Sequence, residues 1–424
     1  MESHLKPGQR LASASQSKGG TPSSVAATQA AWRFYANEKT SLSKLAEPLV
    51  EASLEGIETY CEAYALIVHD WSSLNYTKHQ GKVDKKELHN QYEPGYEVQS
   101  SIVLSDKNGM PLGVMVQNMT TKGGVWSSYQ GDHIQAEEEH LPELSKRVKW
   151  LEEQARLRLR SAPVGKKPVH LVAREGDGVE WLRANKESHW LIRGRQNSTV
   201  SFGGKRYQVK QLAESLSDAM NCCEIKYKGK VAYQRSAKIE VELVRAAKPK
   251  RKRQDQEKTL KGETLPARLV VSRVEDRPGK CLAEWYLLTN VFAVSPETIA
   301  TWYDWRWQIE GCFQLLKPQG LPVEEWQQES RLAIAKRLWV ASSACVLVWQ
   351  LQHQSSPPAS EIKTVLVCLS GRQMKRNRPV TSPAWFEGLW LFLTMMDTLE
   401  HYSIAQLTLF RQLVSSCWDD TINV

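Results

Sequence analysis

Tyr303, Arg306, Glu310 and Lys317 are spaced by three, four and seven residues within the segment Thr301 to Lys317. At about 100° per residue, these offsets fall within roughly 60° of one another on an α-helix. One helix face would then carry a phenol, a guanidinium, a carboxylate and an ammonium. Such a face is either a working site or a structural ion-pair network. Trp302, Trp305, Trp307 and Phe313 surround it, and a face meant only for water needs no such aromatic packing. A second acid, Asp70, closes the apolar run AYALIVH from Ala63 to His69.

The elements that must position these groups can be read from hydrophobic period. Residues 1–22 are polar and lack periodicity, which predicts a flexible arm. Helical spacing covers about 23–62. The run before Asp70 reads as a buried strand. Two further strands, Tyr96 to Leu104 and Leu112 to Asn118, suggest an antiparallel meander. A charged amphipathic helix follows from Leu141 to Arg160, then a strand VHLVA from Val169 to Ala173 and a helix at Val179 to Asn185. Strands first, then strand and helix in alternation, predict a ribonuclease-H-like α/β layer. From about 189 to 290 the pattern turns to short strands, read as a β-rich insertion with a basic loop at Lys248 to Arg253. Pro296 to Lys317 reads as one helix. The apolar stretch Leu338 to Leu351 is shorter than the ~20 residues of a membrane span and reads as a buried core helix.

Lys and Arg number 56 against 47 acidic residues, a net charge of +9 that favours a polyanionic partner without proving one. The eight cysteines include no CxxC pair, which disfavours a zinc finger or redox motif and suits a reducing compartment. No apolar leader is visible at the N-terminus, so neither export nor a membrane is expected. The ten histidines show no ligand spacing, and the acidic patch Glu137 to Glu139 reads as helix N-terminal electrostatics.

Tyr-x2-Arg-x3-Glu-x6-Lys resembles the YREK signature of bacterial insertion-sequence transposases of the DDE class, the group that includes the transposon-five transposase. The resemblance extends over about residues 20 to 350. AWRFYANEKTS, with Arg33, resembles the family's N-terminal DNA-contacting segment. IVHDWSSLNY resembles the strand that delivers the first catalytic Asp, here Asp70. HWLIRGR carries Arg193 in the matching place, and EWYLLTN carries Trp285, whose counterpart makes a pocket for a flipped base. The resemblance implies that Asp70 and Glu310 hold metal. It also implies that Tyr303, Arg306 and Lys317 grip DNA phosphates beside the cleaved bond. It further implies two Mg²⁺ ions (or Mn²⁺) per intact site, a homodimer on two transposon ends, and partners in end DNA and target DNA. The implied reaction is cut-and-paste transposition: end cleavage through a hairpin, then strand transfer.

One position departs. In HLVAREGDGVEWL, His170 to Leu182, the family places its second catalytic Asp where this chain has Ala173. Two Mg²⁺ ions about 4 Å apart need oxygen ligands in octahedral geometry, and a methyl group supplies none. Strand cleavage is therefore expected to be impaired. Three explanations compete: an Asp→Ala change made to trap a DNA complex, a degenerate or domesticated copy that occupies ends without cutting, or Glu175 or Asp177 standing in. The expected architecture is a helical, shortened end-binding domain at 23–62 and a ribonuclease-H-like catalytic domain at 63–345 holding the β-rich insertion. A helical dimerisation region at 346–424 completes it. A bacterial, cytoplasmic and nucleoid-associated setting follows from the resemblance.

Overall fold

The computed structural model describes residues 22–88, 92–129, 144–161, 165–174, 179–216, 220–227, 230–244, 264–276, 280–317, 321–354, 356–372 and 380–412. Most of the expected arm, Glu137 to Glu139, Glu175, Asp177 and the basic loop Lys248 to Arg253 lie outside these residues.

The chain is a mixed α/β protein built on one large sheet. Two helices come first, α1 (Pro22–Ala36) and α2 (Leu42–Tyr60), the second capped by Ser41, whose hydroxyl accepts from the Lys44 backbone N–H. Then come β1 (Tyr64–Asn75), the two-residue β2 (Lys86–Glu87), β3 (Pro94–Ser105), β4 (Pro111–Thr121) and β5 (Gly124–Ser127). After α3 (Leu144–Ser161) follow β6 (Lys167–Val172), α4 (Val179–Ala184) and β7 (His189–Arg193). The next stretch holds β8 (Thr199–Phe202), β9 (Lys205–Gln208), α5 (Val209–Ser215), β10 (Asn221–Tyr227), β11 (Lys230–Leu243), β12 (Leu265–Glu275) and β13 (Cys281–Thr289). The remainder is helical: α6 (Pro296–Trp305), α7 (Gln308–Leu316), α8 (Arg331–His353), α9 (Pro357–Leu369) and α10 (Ser382–His401).

All thirteen strands join one sheet, ordered β5-β4-β3-β1-β6-β7-β13-β12-β11-β8-β9, with β10 on β11 and β2 on β3. β4, β3 and β1 run antiparallel; β1, β6 and β7 run parallel. From β7 through β13, β12 and β11 the pairing is antiparallel again. One sequence expectation is refined here. HWLIRGR, read as the start of the β-rich insertion, forms a parallel strand, β7, laddered to β6 from Val169↔His189 to Val172↔Ile192. The later strands continue the same sheet, because β13 returns alongside β7.

The centre of this sheet is dry. Ala65, Leu66, Ile67, Val68, Val169 and Leu171 are fully buried, as strands covered on both faces require. β1 runs on to Asn75, past the apolar run that marked it in the sequence, because β3 keeps pairing with it as far as Gly95. Its parallel ladder to β6 stops earlier, at His69↔Val172. Asp70 therefore lies where one neighbour ends and the other continues.

α8 is apolar on every side and buried along most of its length, the pattern of a central helix. Among the described residues it alone is long and apolar enough to cross a membrane, and 83% of that window is buried inside the fold. Its two basic residues are tied down. Lys336 Nζ donates to the carbonyls of Tyr35 (3.3 Å) and Asn37 (2.7 Å), which pins the end of α1 to the core. Arg337 lies 3.8 Å over the Trp326 ring and donates to Gln328 Oε1. The N-terminal helices thus pack onto the body of the fold, while Arg33 stays on their exposed side.

Candidate active site

The expected single helix over the four-residue motif is interrupted. α6 ends at Trp305, α7 begins at Gln308, and Arg306 and Trp307 form a tight turn between them. Both keep right-handed helical backbone angles, but Arg306 N–H reaches Tyr303 O and Glu310 N–H reaches Trp307 O, three residues back instead of four. Three-residue turns eclipse positions i and i+3, which brings Tyr303 and Arg306 to the same side. Trp302 and Phe313 are buried as expected, whereas Trp307 is 53% exposed and forms no part of the packing beneath the face.

Arg306 is the hub. It is only 6% exposed. Its Nη1 donates to Asp70 Oδ2 at 2.8 Å and its Nη2 donates to Glu310 Oε1 at 2.8 Å. Asp70 Oδ1 accepts from the Trp71 backbone N–H at 2.9 Å, so both oxygens of that carboxylate are engaged. The Arg306 Nε–H is buried without an acceptor among the described residues. Burial works against the Arg306 charge, but Tyr303, Asp70 and Glu310 outweigh it and hold the guanidinium above its ordinary pKa. Glu310 behaves differently. Burial pushes its carboxyl up, Arg306 opposes this, and the negative charge of Asp70 adds to the rise. The bridge therefore favours the guanidinium more than it favours Glu310.

Around this hub the other motif residues gather. Tyr303 is buried, with its ring 5.7 Å from the Arg306 guanidinium and 6.0 Å edge-on to Trp285. Arg193, the last residue of β7, lies close enough for Tyr303 and Arg306 to act electrostatically on its guanidinium. Burial lowers its pKa, and the charges of Arg174 and Arg306 press the same way. Trp285 is 5% exposed, so no open stacking face is on offer to a base in this conformation. Lys317 caps the end of α7, half-buried, and its side chain makes no hydrogen bond or ion pair with described residues. Arg33 stands apart on α1.

Ala173 follows the last residue of β6 and is half-buried. The register continues His69↔Val172 to Asp70 on one side and Val172↔Ile192 to Arg193 on the other. Position 173 thus falls between Asp70 and Arg193, at the carboxyl end of parallel strands, where open α/β sheets build their sites. As the chain stands, the two acids are held by one guanidinium, and no group of three or more His, Cys, Asp or Glu side chains gathers among the described residues. Among the described residues this leaves two carboxylates, both already paired to Arg306, for a pair of Mg²⁺ ions that bind through oxygen.

Sequence reading missed Arg174, whose charge reaches Arg193. It also missed a buried polar chain behind Asp70. His69 Nδ1 lies 2.8 Å from Ser101 Oγ, and its Nε2 lies 2.8 Å from His170 Nδ1. His170 Nε2 is 3.8 Å from Glu152 on α3. The one hint was a histidine inside an otherwise apolar strand. Burial drives both imidazoles down, with help from His170 on His69 and from Arg156 on His170, which falls to about 3. In the unfolded chain both protonate near the ordinary value of 6.5. Unfolding therefore takes up protons below that pH: the stability is present above 6.5 and is lost as pH falls toward 3. Each histidine is expected to cost on the order of 1.4 kcal/mol per pH unit in this window. Urea midpoints at about pH 7 and about pH 5 measure this. The midpoint should drop sharply, and His170→Asn should flatten the slope by about half; a midpoint indifferent to pH would refute the assignment.

A scan against models of known protein families finds no match to this chain, and a search of curated proteins finds none.

Proposed function

We propose that this chain descends from DDE transposases of the YREK group and binds DNA at element ends, with strand cleavage impaired at Ala173. One observation carries the reading. Segments of unrelated local character, scattered over some 240 residues of sequence between Asp70 and Glu310, converge on one point. Asp70 comes from β1, position 173 from the end of β6, Arg193 from β7, and Tyr303, Arg306 and Glu310 from the α6–α7 turn. A surface ion-pair network has no reason to recruit four separate elements around a buried guanidinium.

The strand order supports the same reading. An antiparallel trio β4-β3-β1 followed by parallel β6 and β7 is the arrangement expected of a ribonuclease-H-like core. On that view β8 to β13 are the insertion, and α9 and α10 belong to the dimerisation region. The working unit would be a homodimer on two ends.

A second reading, a regulator that occupies ends without any cleavage, is favoured by the Arg306 bridge, which ties Asp70 and Glu310 to one guanidinium. Gel shift and cleavage assays on duplex carrying the element's own terminal sequences, against a scrambled duplex, test both. Salt-sensitive binding of the true ends is the expected result, with no nicking in Mg²⁺ or Mn²⁺. Equal or absent binding to both duplexes would overturn the proposal.

A further inference from the structure

We infer that Arg306 stands where a divalent cation would otherwise sit, so that the cluster is a metal-independent site for a backbone phosphate. The inference rests on the DNA-binding reading for its ligand, but not for its first half. The two carboxylates that would hold a cation are each engaged by a different nitrogen of one guanidinium, both at 2.8 Å. Asp70's second oxygen accepts from the Trp71 N–H. A cation entering here must break both ion pairs and expel a guanidinium that is 6% exposed, and among the described residues it then meets carboxylate oxygens from two residues. Ala173 contributes none.

Charge decides what the site can hold. Arg306 pairs with Asp70 and Glu310, Arg193 lies within electrostatic reach of both Arg306 and Arg174, and Lys317 ends α7. With Asp70 and Glu310 both paired to Arg306, Arg193 and Arg174 are the guanidiniums left over among the described residues here. Guanidiniums bind phosphate oxygens through charge-assisted hydrogen bonds. In a site that relies on metal, the cation bridges protein acids to the phosphate. Here the protein side is already neutralised, and the remaining cations can meet the phosphate directly.

Two measurements on the full chain test this. The first is calorimetric titration with Mn²⁺ alone. The unaltered chain is expected to show no specific uptake. Arg306→Gln, which frees both carboxylates, should bind Mn²⁺ at least about tenfold more tightly. Arg306→Lys, whose single ammonium cannot span both acids, should fall between and serves if the Gln variant folds poorly. The second is fluorescence anisotropy of end duplex in EDTA and in Mn²⁺, where equal affinity is expected. Stoichiometric Mn²⁺ uptake by the unaltered chain, or DNA binding that vanishes in EDTA, overturns the inference while leaving the transposase descent intact. Failure to bind end DNA under both conditions sinks the DNA reading and the phosphate assignment with it, and the Mn²⁺ titration then still decides whether Arg306 replaces a cation.

Discussion

Ala173→Asp is expected to raise cleavage of end DNA in Mg²⁺ or Mn²⁺ by about 100-fold or more over the unaltered chain. Changes to residues that merely support metal ligands cost roughly 10- to 100-fold, and a missing ligand costs more. Geometry makes the restoration plausible without rebuilding. Position 173 lies one residue past the β6 ladder, between Asp70 and Arg193, and is half-buried, so a side chain three heavy atoms larger than alanine's need not displace core residues. A further carboxylate supplies the reason a cation would enter. One guanidinium pairs the two carboxylates present, and a third beside Asp70 adds the oxygen ligand that a divalent cation can bind. The assay is strand cleavage of a plasmid carrying both ends, run on both proteins with the metal varied. If the unaltered chain cuts as well as the variant, position 173 is not the second acid, and Asp177 or Glu175 becomes the first candidate for the ligand. If neither cuts although both bind ends, the regulator reading gains.

Much of the site was legible from spacing, and the limits of that reading have physical causes. The face carrying Tyr303, Arg306 and Glu310 follows from helical period, and Asp70 from the apolar run that ends beside it. The tightened turn at Arg306 and Trp307 could not be read, because neither Gly nor Pro marks it; it is set by the tertiary pull of Asp70 on the guanidinium side and by Trp302 and Phe313 anchoring the flanking helices. Nor does sequence period reveal which strands pair. HWLIRGR has the composition of any short strand, so its parallel partner β6 and the continuity of β13 with it had to come from the fold. Trp285 illustrates a subtler limit: the resemblance named it, but neither its contact with Tyr303 nor its burial was legible, since one tryptophan in a strand reads alike whether exposed or packed. The His69–His170 pair depends on a diagonal between parallel strands that no single-strand pattern contains.

Removing both carboxylates, Asp70→Ala with Glu310→Ala, is expected to destabilise the fold by about 2–4 kcal/mol, measured by urea unfolding in EDTA. The direction is the informative part. In a cleft built to hold metal, facing carboxylates repel one another in the metal-free protein, and neutralising them stabilises it. Here they are the counter-ions of a buried guanidinium. Stripping both leaves Arg306 charged, 6% exposed and unpaired. A fully dry pair broken in this way costs about 3–5 kcal/mol. The figure is reduced because Asp70 and Glu310 keep 20% and 32% of their side-chain surface in contact with solvent, so water can partly replace them. Coupling gives a second check. Adding Arg306→Ala to the double variant removes the orphaned charge, so the triple variant should recover a substantial part of the loss, a non-additivity that independent surface residues do not show. Should the double variant instead be more stable than the unaltered chain, the two acids were repelling each other all along, and Arg306 neither neutralises them nor takes the place of a cation.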